Sequence, residues 1–188
     1  MVRQPSINAQ HRAPLSIERI IEAALQIVDG QGLGRLTMRR LGDSLEVEAM
    51  AIYHHLPRGK EQLLDGLVAH VASAPAEDSP ARRWQDVLRD WATAYRGRLM
   101  AHAGVLPLVV TRRNPVALTA TVASLREVMR RGGVAEDAAG VAAHTLLGYV
   151  IGHTALEVRG TGEDGADRVV DWNARFTAGL DLVVGGVR

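Results

Sequence analysis

Apolar side chains recur along this chain at the three- and four-residue spacing of an α-helix, and no segment alternates as a half-buried strand does. The clearest stripe begins after Ser16, a residue typical of helix N-caps, and runs to the glycines that start at Gly30. Further stripes follow to the carboxyl end, separated by segments rich in glycine, proline or acidic residues. The sequence therefore predicts an all-α fold, with a three-helix N-terminal unit followed by a larger helical bundle.

The pair of short helices predicted within residues 37–60 is the feature that most restricts which all-α fold the chain can adopt. Each predicted helix has about seven residues, which is too few for stability in isolation. Packed across each other and onto the helix that follows Ser16, the two would form a helix-turn-helix, with Gly42 as the small residue at the crossing. Four apolar residues are expected to face inward: Leu41, Leu45, Val47 and Ile52. Glu46 stands at the turn position that usually favours glycine, because the backbone there is left-handed.

The outward face of the second short helix is predicted to be accessible to a partner. Its residues are Glu48, Met50, Ala51, Tyr53 and His54. Simpler interpretations stay open for this region. Tyr53 also fits a partly buried aromatic, and His54–His55 fits a pair of solvated imidazoles. Arg39–Arg40 likewise fits an ordinary solvated helix face.

The stretch from Ile17 to Leu64 resembles the N-terminal DNA-binding domain of the tetracycline-repressor (TetR) family. The residues that carry the resemblance are the Ile17–Val28 helix, Gly32–Leu33, Leu36–Thr37, Arg39, Leu41, Ile52–Tyr53, His54–His55, and Lys60 with Leu63–Leu64. The segment between Leu56 and Lys60 is one residue longer than the common family pattern. The resemblance implies a homodimeric, ligand-responsive repressor that binds a palindromic operator in double-stranded DNA. It also implies three parts: a flexible arm at 1–15, a helix-turn-helix DNA-binding domain at 16–62, and an effector-binding and dimerisation domain at 63–188.

The resemblance further implies a role on DNA for particular residues. Three would contact phosphates and set the register: Thr37, Tyr53 and Lys60. Four would face base edges and thymine methyl groups: Arg39, Met50, Ala51 and His54. Arg39 has the geometry to bind guanine with two hydrogen bonds, and Glu48 completes the candidate DNA-binding set.

A mostly apolar effector pocket is predicted where the helical pattern breaks between Gly104 and Asn114, around Pro107. Eight residues are its expected lining: Trp91, Tyr95, His102, Val105, Leu106, Leu108, His144 and Tyr149. A plain bundle core holding the same residues is the alternative. In tetracycline-binding members of the family, a metal-ligating histidine follows the glycine of this turn by four residues, and Leu108 stands at that position here. We therefore expect a small hydrophobic effector with one or two polar groups, no metal and no cofactor.

The predicted helix from 135 to 158 is apolar on nearly all sides and carries small residues at four-residue spacing. Its small residues are Ala139, Gly140, Ala143, Gly148, Gly152 and Ala155. Such a helix is expected to lie between its own bundle and a second subunit, where it would join the last helix in a four-helix interface. A central helix of a monomer is the alternative.

Several function classes are disfavoured by what the sequence lacks. The chain has no cysteine, so disulfide, zinc-ribbon and thiol chemistry are excluded. Its longest apolar run is too short for a membrane span, and the N-terminus lacks a signal-peptide pattern, so we expect a cytoplasmic protein. Residues 160–165 match the dinucleotide fingerprint but follow a helix instead of a strand, which indicates a loop. No catalytic constellation is present, so an all-α enzyme or small-molecule carrier, with the N-terminal helices as scaffold, is only the rival hypothesis.

Overall fold

The regular structure is helical throughout the part of the chain that the computed structural model describes, residues 14–77, 81–112, 115–160 and 170–187. Nine α-helices occur there: α1 Ile17–Gln31, α2 Met38–Leu45, α3 Ala49–His55, α4 Lys60–Ala72, α5 Trp84–Ala101, α6 Leu106–Thr111, α7 Pro115–Arg131, α8 Glu136–Gly160 and α9 Trp172–Gly185. A single 3₁₀ turn, Leu33–Arg35, joins α1 to α2. The all-α prediction is confirmed. The predicted arm at 1–15 and the loop at 160–165 fall almost entirely outside the described residues.

Side-chain caps fix where several helices begin. The Ser16 hydroxyl oxygen accepts a hydrogen bond from the Arg19 amide at 3.2 Å, as the sequence predicts for the start of α1. The Thr37 hydroxyl oxygen accepts from the Arg40 amide at 3.1 Å and starts α2 in the same way. Each cap satisfies one of the amide groups that the first helical turn leaves without a partner.

The first three helices pack as a helix-turn-helix unit. A Cβ atom on Gly42 would lie 2.8 Å from the Val47 carbonyl oxygen, so the turn into α3 requires a glycine in α2. Leu41 and Ile52 are fully buried at this crossing. Glu46 ends α2 with φ 54° and ψ 43°, which is the left-handed conformation expected for that turn.

Helix α4 belongs to both halves of the molecule. It packs against α1 on one side, where a Cβ on Gly66 would lie 2.7 Å from the Ile21 side chain. On its other sides it contacts α5, α6 and α7. The Arg112 guanidinium, just after α6, pairs with Glu61 and Asp65 of α4, each at 2.8 Å. The proposed domain boundary after residue 62 therefore falls inside a helix, and the boundary stays a prediction.

Three element boundaries differ from those predicted. The break after Gly104 contains the six-residue helix α6, because Pro107 lies in its first turn, where no amide donor is needed. Helix α1 continues through Gly30 and ends at Gly32, whose φ is 84°. The last helix begins at Trp172 instead of near Ala166, because the Asp171 carboxylate accepts from the Ala174 amide at 2.8 Å and caps it there.

The larger bundle is organised around α8, which packs against α5, α7 and α9. Its buried face contacts the bundle through residues such as Leu146 and Val150. One charged pair is enclosed between these helices: Arg96 of α5 makes hydrogen bonds of 2.8 and 2.6 Å to the buried Glu157 carboxylate of α8. No helix in the described ranges combines the length and the apolar character needed to cross a lipid bilayer.

Candidate functional site

The solvent-facing side of α3 and the residues flanking it form what we call the recognition face. Met50 is 67% exposed and Tyr53 is 40% exposed, although both carry large apolar surfaces that normally favour burial. His54 is also exposed, whereas Ala51 is half-buried. Ile52, one residue before Tyr53, is fully buried and anchors the helix. The helix thus holds one side in the core and leaves the other accessible.

Tyr53 is held in place by the glycine that precedes α4. Gly59 has φ 57°, and a Cβ atom there would lie only 2.7 Å from Cε1 of the Tyr53 ring. Only glycine combines that backbone conformation with such close contact. Lys60, the next residue, is the first of α4, and its side chain is exposed. The tyrosine and the lysine therefore stand together at a helix N-terminus, where the helix dipole favours negative charge.

Thr37 and Arg39 lie at the start of α2. The Thr37 hydroxyl accepts its capping bond from Arg40, so its own hydrogen stays available to a second acceptor such as a phosphate oxygen. Arg39 is exposed and has no ion-pair partner among the residues described. An arginine without an internal carboxylate keeps its five donors for an external group.

Glu48 occupies the N-cap position of α3. Its side chain is exposed and makes no capping hydrogen bond, while its carbonyl oxygen accepts from the Ala51 amide at 2.9 Å. A carboxylate in that position can accept a hydrogen bond from the amino group of cytosine, but it also repels phosphates. Seven of the eight DNA-binding candidates are thus exposed, and the eighth, Ala51, is half-buried.

Sequence reasoning missed one basic residue at the same edge. Arg58 lies in the turn before α4, and its guanidinium pairs with Asp65 at 3.2 Å while its side chain stays 67% exposed. Its amide donates to the Gln62 side chain at 3.2 Å, which orders the turn. The sequence signal that could have indicated Arg58 is the longer Leu56–Lys60 segment, in which it lies.

Of the eight predicted effector-binding residues, Trp91 and Tyr95 lie together. Their rings stack with centroids 5.1 Å apart, and both line a groove of about 720 Å³ between α5 and the segment that follows α4. The Trp91 indole donates to the Ala74 carbonyl at 2.6 Å, and the Tyr95 hydroxyl donates to the Ala72 carbonyl at 3.2 Å. Burial raises the pKa of Tyr95 to about 12, so the phenol is neutral at physiological pH.

The structure gives the other six predicted residues different surroundings. Three are buried in the hydrophobic core, as the plain-core alternative allows: Val105, Leu106 and Leu108. His102 lies 2.8 Å from the Asp29 carboxylate of α1. His144 lies against the Gly140 carbonyl at 2.9 Å and lines a separate cavity of about 460 Å³ between α7 and α8. Tyr149 donates to the Phe176 carbonyl of α9 at 2.8 Å.

A second exposed apolar surface runs along α8 and α9, and we call it the α8–α9 face. Val141 is 70% exposed and Leu182 is 79% exposed, on either side of a shallow groove of about 670 Å³. Farther along α8, a Cβ atom on Gly148 or Gly152 would meet nothing within 4 Å. Exposed apolar residues next to bare helix backbone are typical of a surface that another helix covers.

Metal-binding groups are not gathered anywhere in the described ranges: no three histidine or acidic side chains lie close enough to hold an ion. The predicted effector residues His102 and His144 each face a different partner, as described above.

Comparison with known proteins agrees with the helical arrangement. The profile of bacterial regulatory proteins of the tetR family matches residues 20–67. The class E tetracycline repressor of Escherichia coli is 31% identical over 169 residues, which cover 85% of this chain and 76% of the repressor. BioQ, solved with its double-stranded DNA operator, has a TM-score of 0.70 and 29% identity, over 92% of this chain and 98% of BioQ. ActR of Streptomyces coelicolor, solved with actinorhodin, shares the fold with a TM-score of 0.77 at 22% identity, over 93% of this chain and 97% of ActR's.

Proposed function

This chain belongs to the TetR family of bacterial regulatory proteins, and from that premise we propose that it is a ligand-responsive repressor that binds a palindromic operator as a homodimer. A small, largely hydrophobic effector would release it from DNA without the help of a metal ion. The observation that carries the proposal is the recognition face, where Met50 and Tyr53 are exposed on α3 and Lys60 is exposed at the start of α4.

The chemistry of the recognition face suits duplex DNA. Hydroxyl groups of Thr37 and Tyr53 and the ammonium of Lys60 are the donor types that contact phosphate oxygens. Arg39, Met50 and His54 offer hydrogen bonds and apolar contact to base edges in the major groove, which is wide enough to admit a helix. BioQ, which shares the fold and 29% of its sequence with this chain, is known with its operator.

The α8–α9 face supports the homodimer. Two copies that meet through α8 and α9 would bury Val141, Leu156 and Leu182, which are exposed in the single chain. Gly148 and Gly152 would let the two α8 helices approach closely, because no side chain separates their backbones. In such a dimer the two recognition helices would enter successive major grooves about 34–36 Å apart, and the operator would share the twofold symmetry.

Release by an effector requires a path from the bundle to the DNA-binding unit. The ion pairs of Arg112 with Glu61 and Asp65 join α6 to α4, and His102 contacts Asp29 at the end of α1. An effector that binds better to a conformation with α4 displaced would therefore favour dissociation from DNA. Leu108, where a metal-ligating histidine stands in tetracycline-binding members, supports an effector that needs no metal.

Selection of bound sequences from a random duplex pool tests the proposal directly. We expect a palindromic consensus, bound with an affinity that falls steeply as salt rises, because phosphate contacts release counterions. Variants Tyr53→Ala and Lys60→Ala should weaken binding, while Arg126→Ala, an exposed arginine on α7, is a control of similar charge. Absence of any enriched sequence, or intact binding by both recognition-face variants in a folded protein, would contradict the proposal.

A further inference from the structure

The turn between α3 and α4 places Arg58 at the edge of the recognition face. The turn is closed by the Gly59 amide, which donates to the Leu56 carbonyl at 2.8 Å. Gly59, the next residue after Arg58, is the glycine that makes room for the Tyr53 ring, and Lys60 follows it. Arg58 is therefore attached to the same short piece of backbone that holds the tyrosine and the lysine assigned above to phosphate contacts.

The Arg58 guanidinium is only partly used within the protein. One terminal nitrogen donates to Oδ2 of Asp65 at 3.2 Å, and the side chain is 67% exposed. The other two guanidinium nitrogens have no hydrogen-bond partner among the residues described. An exposed pair of an arginine and an aspartate adds little stability, because water and salt screen the two charges. An acceptor from outside the protein can therefore replace this carboxylate easily.

The Asp65 carboxylate does not depend on Arg58 for a charged partner. Its other oxygen, Oδ1, accepts from Nε and from a terminal nitrogen of Arg112 at 3.2 and 2.8 Å. The Arg112 side chain is 22% exposed, so its pair with Asp65 is better shielded from solvent than the pair with Arg58. If Arg58 leaves, Asp65 keeps one guanidinium, and the exchange does not leave an isolated carboxylate.

We propose that Arg58 is a further DNA contact, which exchanges the Asp65 carboxylate for a phosphate oxygen when the protein binds a duplex. Phosphate accepts hydrogen bonds from the same guanidinium donors as a carboxylate does, and a phosphate contact also releases counterions from the DNA. Asp65 is then an internal competitor that lowers the affinity for DNA. This inference rests on the proposed function, because it adds a residue to the same surface.

Titration of the full-length protein with the selected operator and with scrambled duplex, at several salt concentrations, tests the inference. Arg58→Gln should weaken binding by at least about tenfold at about 0.1 M salt. It should also make the plot of log affinity against log salt shallower by about 0.9 for each protomer bound, because one phosphate contact is lost. Both duplexes should be affected by similar factors, since phosphates carry no sequence information.

Asp65→Asn should have the opposite effect and strengthen binding by about two- to tenfold, because the carboxylate no longer holds Arg58. In the Arg58→Gln background the same change should have no effect, whereas a merely structural role of Asp65 would act in both backgrounds. The exposed pair of Arg82 and Asp90, 2.6 Å apart in the larger bundle, provides matched controls. Arg82→Gln and Asp90→Asn should change neither the affinity nor the salt dependence.

An unchanged salt dependence in Arg58→Gln, no gain from Asp65→Asn, or a gain that persists without Arg58 would each overturn the inference. Arg58 is exposed in a turn, so Arg58→Gln should fold, and its salt dependence decides the question even if Asp65→Asn does not fold. Wild-type protein that binds duplex no better than Arg58→Gln removes this inference and leaves the proposed function intact. Wild-type protein that binds no duplex at any salt concentration removes both.

Discussion

Two residues with positive φ shape the recognition face, and only one of them is glycine. Gly59 at φ 57° makes room for the Tyr53 ring, so a side chain there is excluded by both backbone and space. Glu46 at φ 54° holds the turn between α2 and α3 with a backbone that costs an ordinary residue about 1–2 kcal/mol. The first position is required for the site, whereas the second is a local strain that the surrounding packing overcomes.

Relief of that strain gives the first prediction. Glu46→Gly should raise the free energy of unfolding by about 0.5–1 kcal/mol, because the gain at φ 54° exceeds the added entropy of the unfolded chain. Glu48→Gly is the matched control, since Glu48 has φ −64° and should lose a few tenths of a kcal/mol instead. Urea denaturation at fixed protein concentration measures both. Equal destabilisation by the two changes would show that the turn is not strained.

Phosphate-contacting and base-contacting residues should respond differently on DNA. Tyr53→Phe and Lys60→Ala should weaken binding to the selected operator and to scrambled DNA by similar factors, because phosphates carry no sequence information. Arg39→Ala should instead cost about 1–3 kcal/mol on the operator alone. Titration of both duplexes at two salt concentrations distinguishes these outcomes. If Arg39→Ala weakens both duplexes equally, Arg39 contacts the backbone and not a base.

At the level of helices, one largely enclosed charged contact joins α5, α8 and α9. The Arg96 guanidinium binds Glu157 twice, lies 4.7 Å from the centre of the Phe176 ring, and donates to Asn173 at 2.9 Å. The hydrogen bond to Glu157 is the main reason that the pKa of Arg96 is raised. A buried ion pair of this kind fixes how the helices sit more than it adds to their stability.

Removal of one partner should therefore be costly. Arg96→Ala should lower the free energy of unfolding by about 3–5 kcal/mol, because the buried Glu157 carboxylate loses its guanidinium partner and keeps only the His153 imidazole at 3.9 Å. Arg89→Ala, which breaks exposed pairs with Asp86 and Asp181, should cost less than about 1 kcal/mol. The double change Arg96→Met with Glu157→Leu should recover most of the loss. Equal losses for Arg96→Ala and Arg89→Ala in urea denaturation would refute the argument.

Sequence periodicity predicted eight of the nine helices in the described ranges, but it predicted neither α6 nor the contacts between helices. The caps at Ser16 and Thr37 were predictable because a capping bond is local, within three residues. The pairing of Arg112 with Asp65 joins residues 47 positions apart, and no local sequence pattern around either residue predicts it. The predicted pocket lining was only partly correct, because contacts between distant helices have no local sequence signal. Trp91 and Tyr95 lie one helical turn apart and are in contact, whereas Tyr149 instead contacts α9. The residues of the recognition face were easier to predict, because they lie within one short segment of the sequence.

At the scale of the whole molecule, three of the seven large apolar side chains that are exposed in the described part of the chain lie on the α8–α9 face. Val141, Leu156 and Leu182 are each more than half exposed, and the glycines between them leave α8 backbone bare. A chain that remained a monomer would leave this surface in water, which is unfavourable. Dimerisation through this face would also match the palindromic operator proposed above, because two equivalent DNA-binding units would be related by a twofold axis.

Gly148→Leu should separate folding from assembly. Within one protomer Gly148 is exposed and a Cβ atom there would meet nothing within 4 Å, so the fold should be kept and the helix slightly stabilised. In the dimer the added volume should cost about 1–3 kcal/mol or more and give monomers that lose the operator. Gly97→Leu on α5, where the space is equally open, is the control. Sedimentation and operator titration report the two effects, and a monomeric wild-type protein at micromolar concentration would contradict the assembly itself.

Helix α4 packs against both α1 and the larger bundle, and this has a consequence for protein engineering. A hybrid regulator can be made by joining the N-terminal helix-turn-helix unit of one protein to the C-terminal bundle of another. In this protein any junction near residue 62 lies inside α4, whose two sides have different neighbours. An N-terminal unit cut there would bring Glu61 without Arg112, and α1 without the Gly104 turn, where an added Cβ atom would lie 2.8 Å from the Val28 side chain. A working hybrid must therefore exchange the whole of α4 together with the residues that receive it. The N-terminal helix-turn-helix unit of this protein therefore cannot be transplanted by itself.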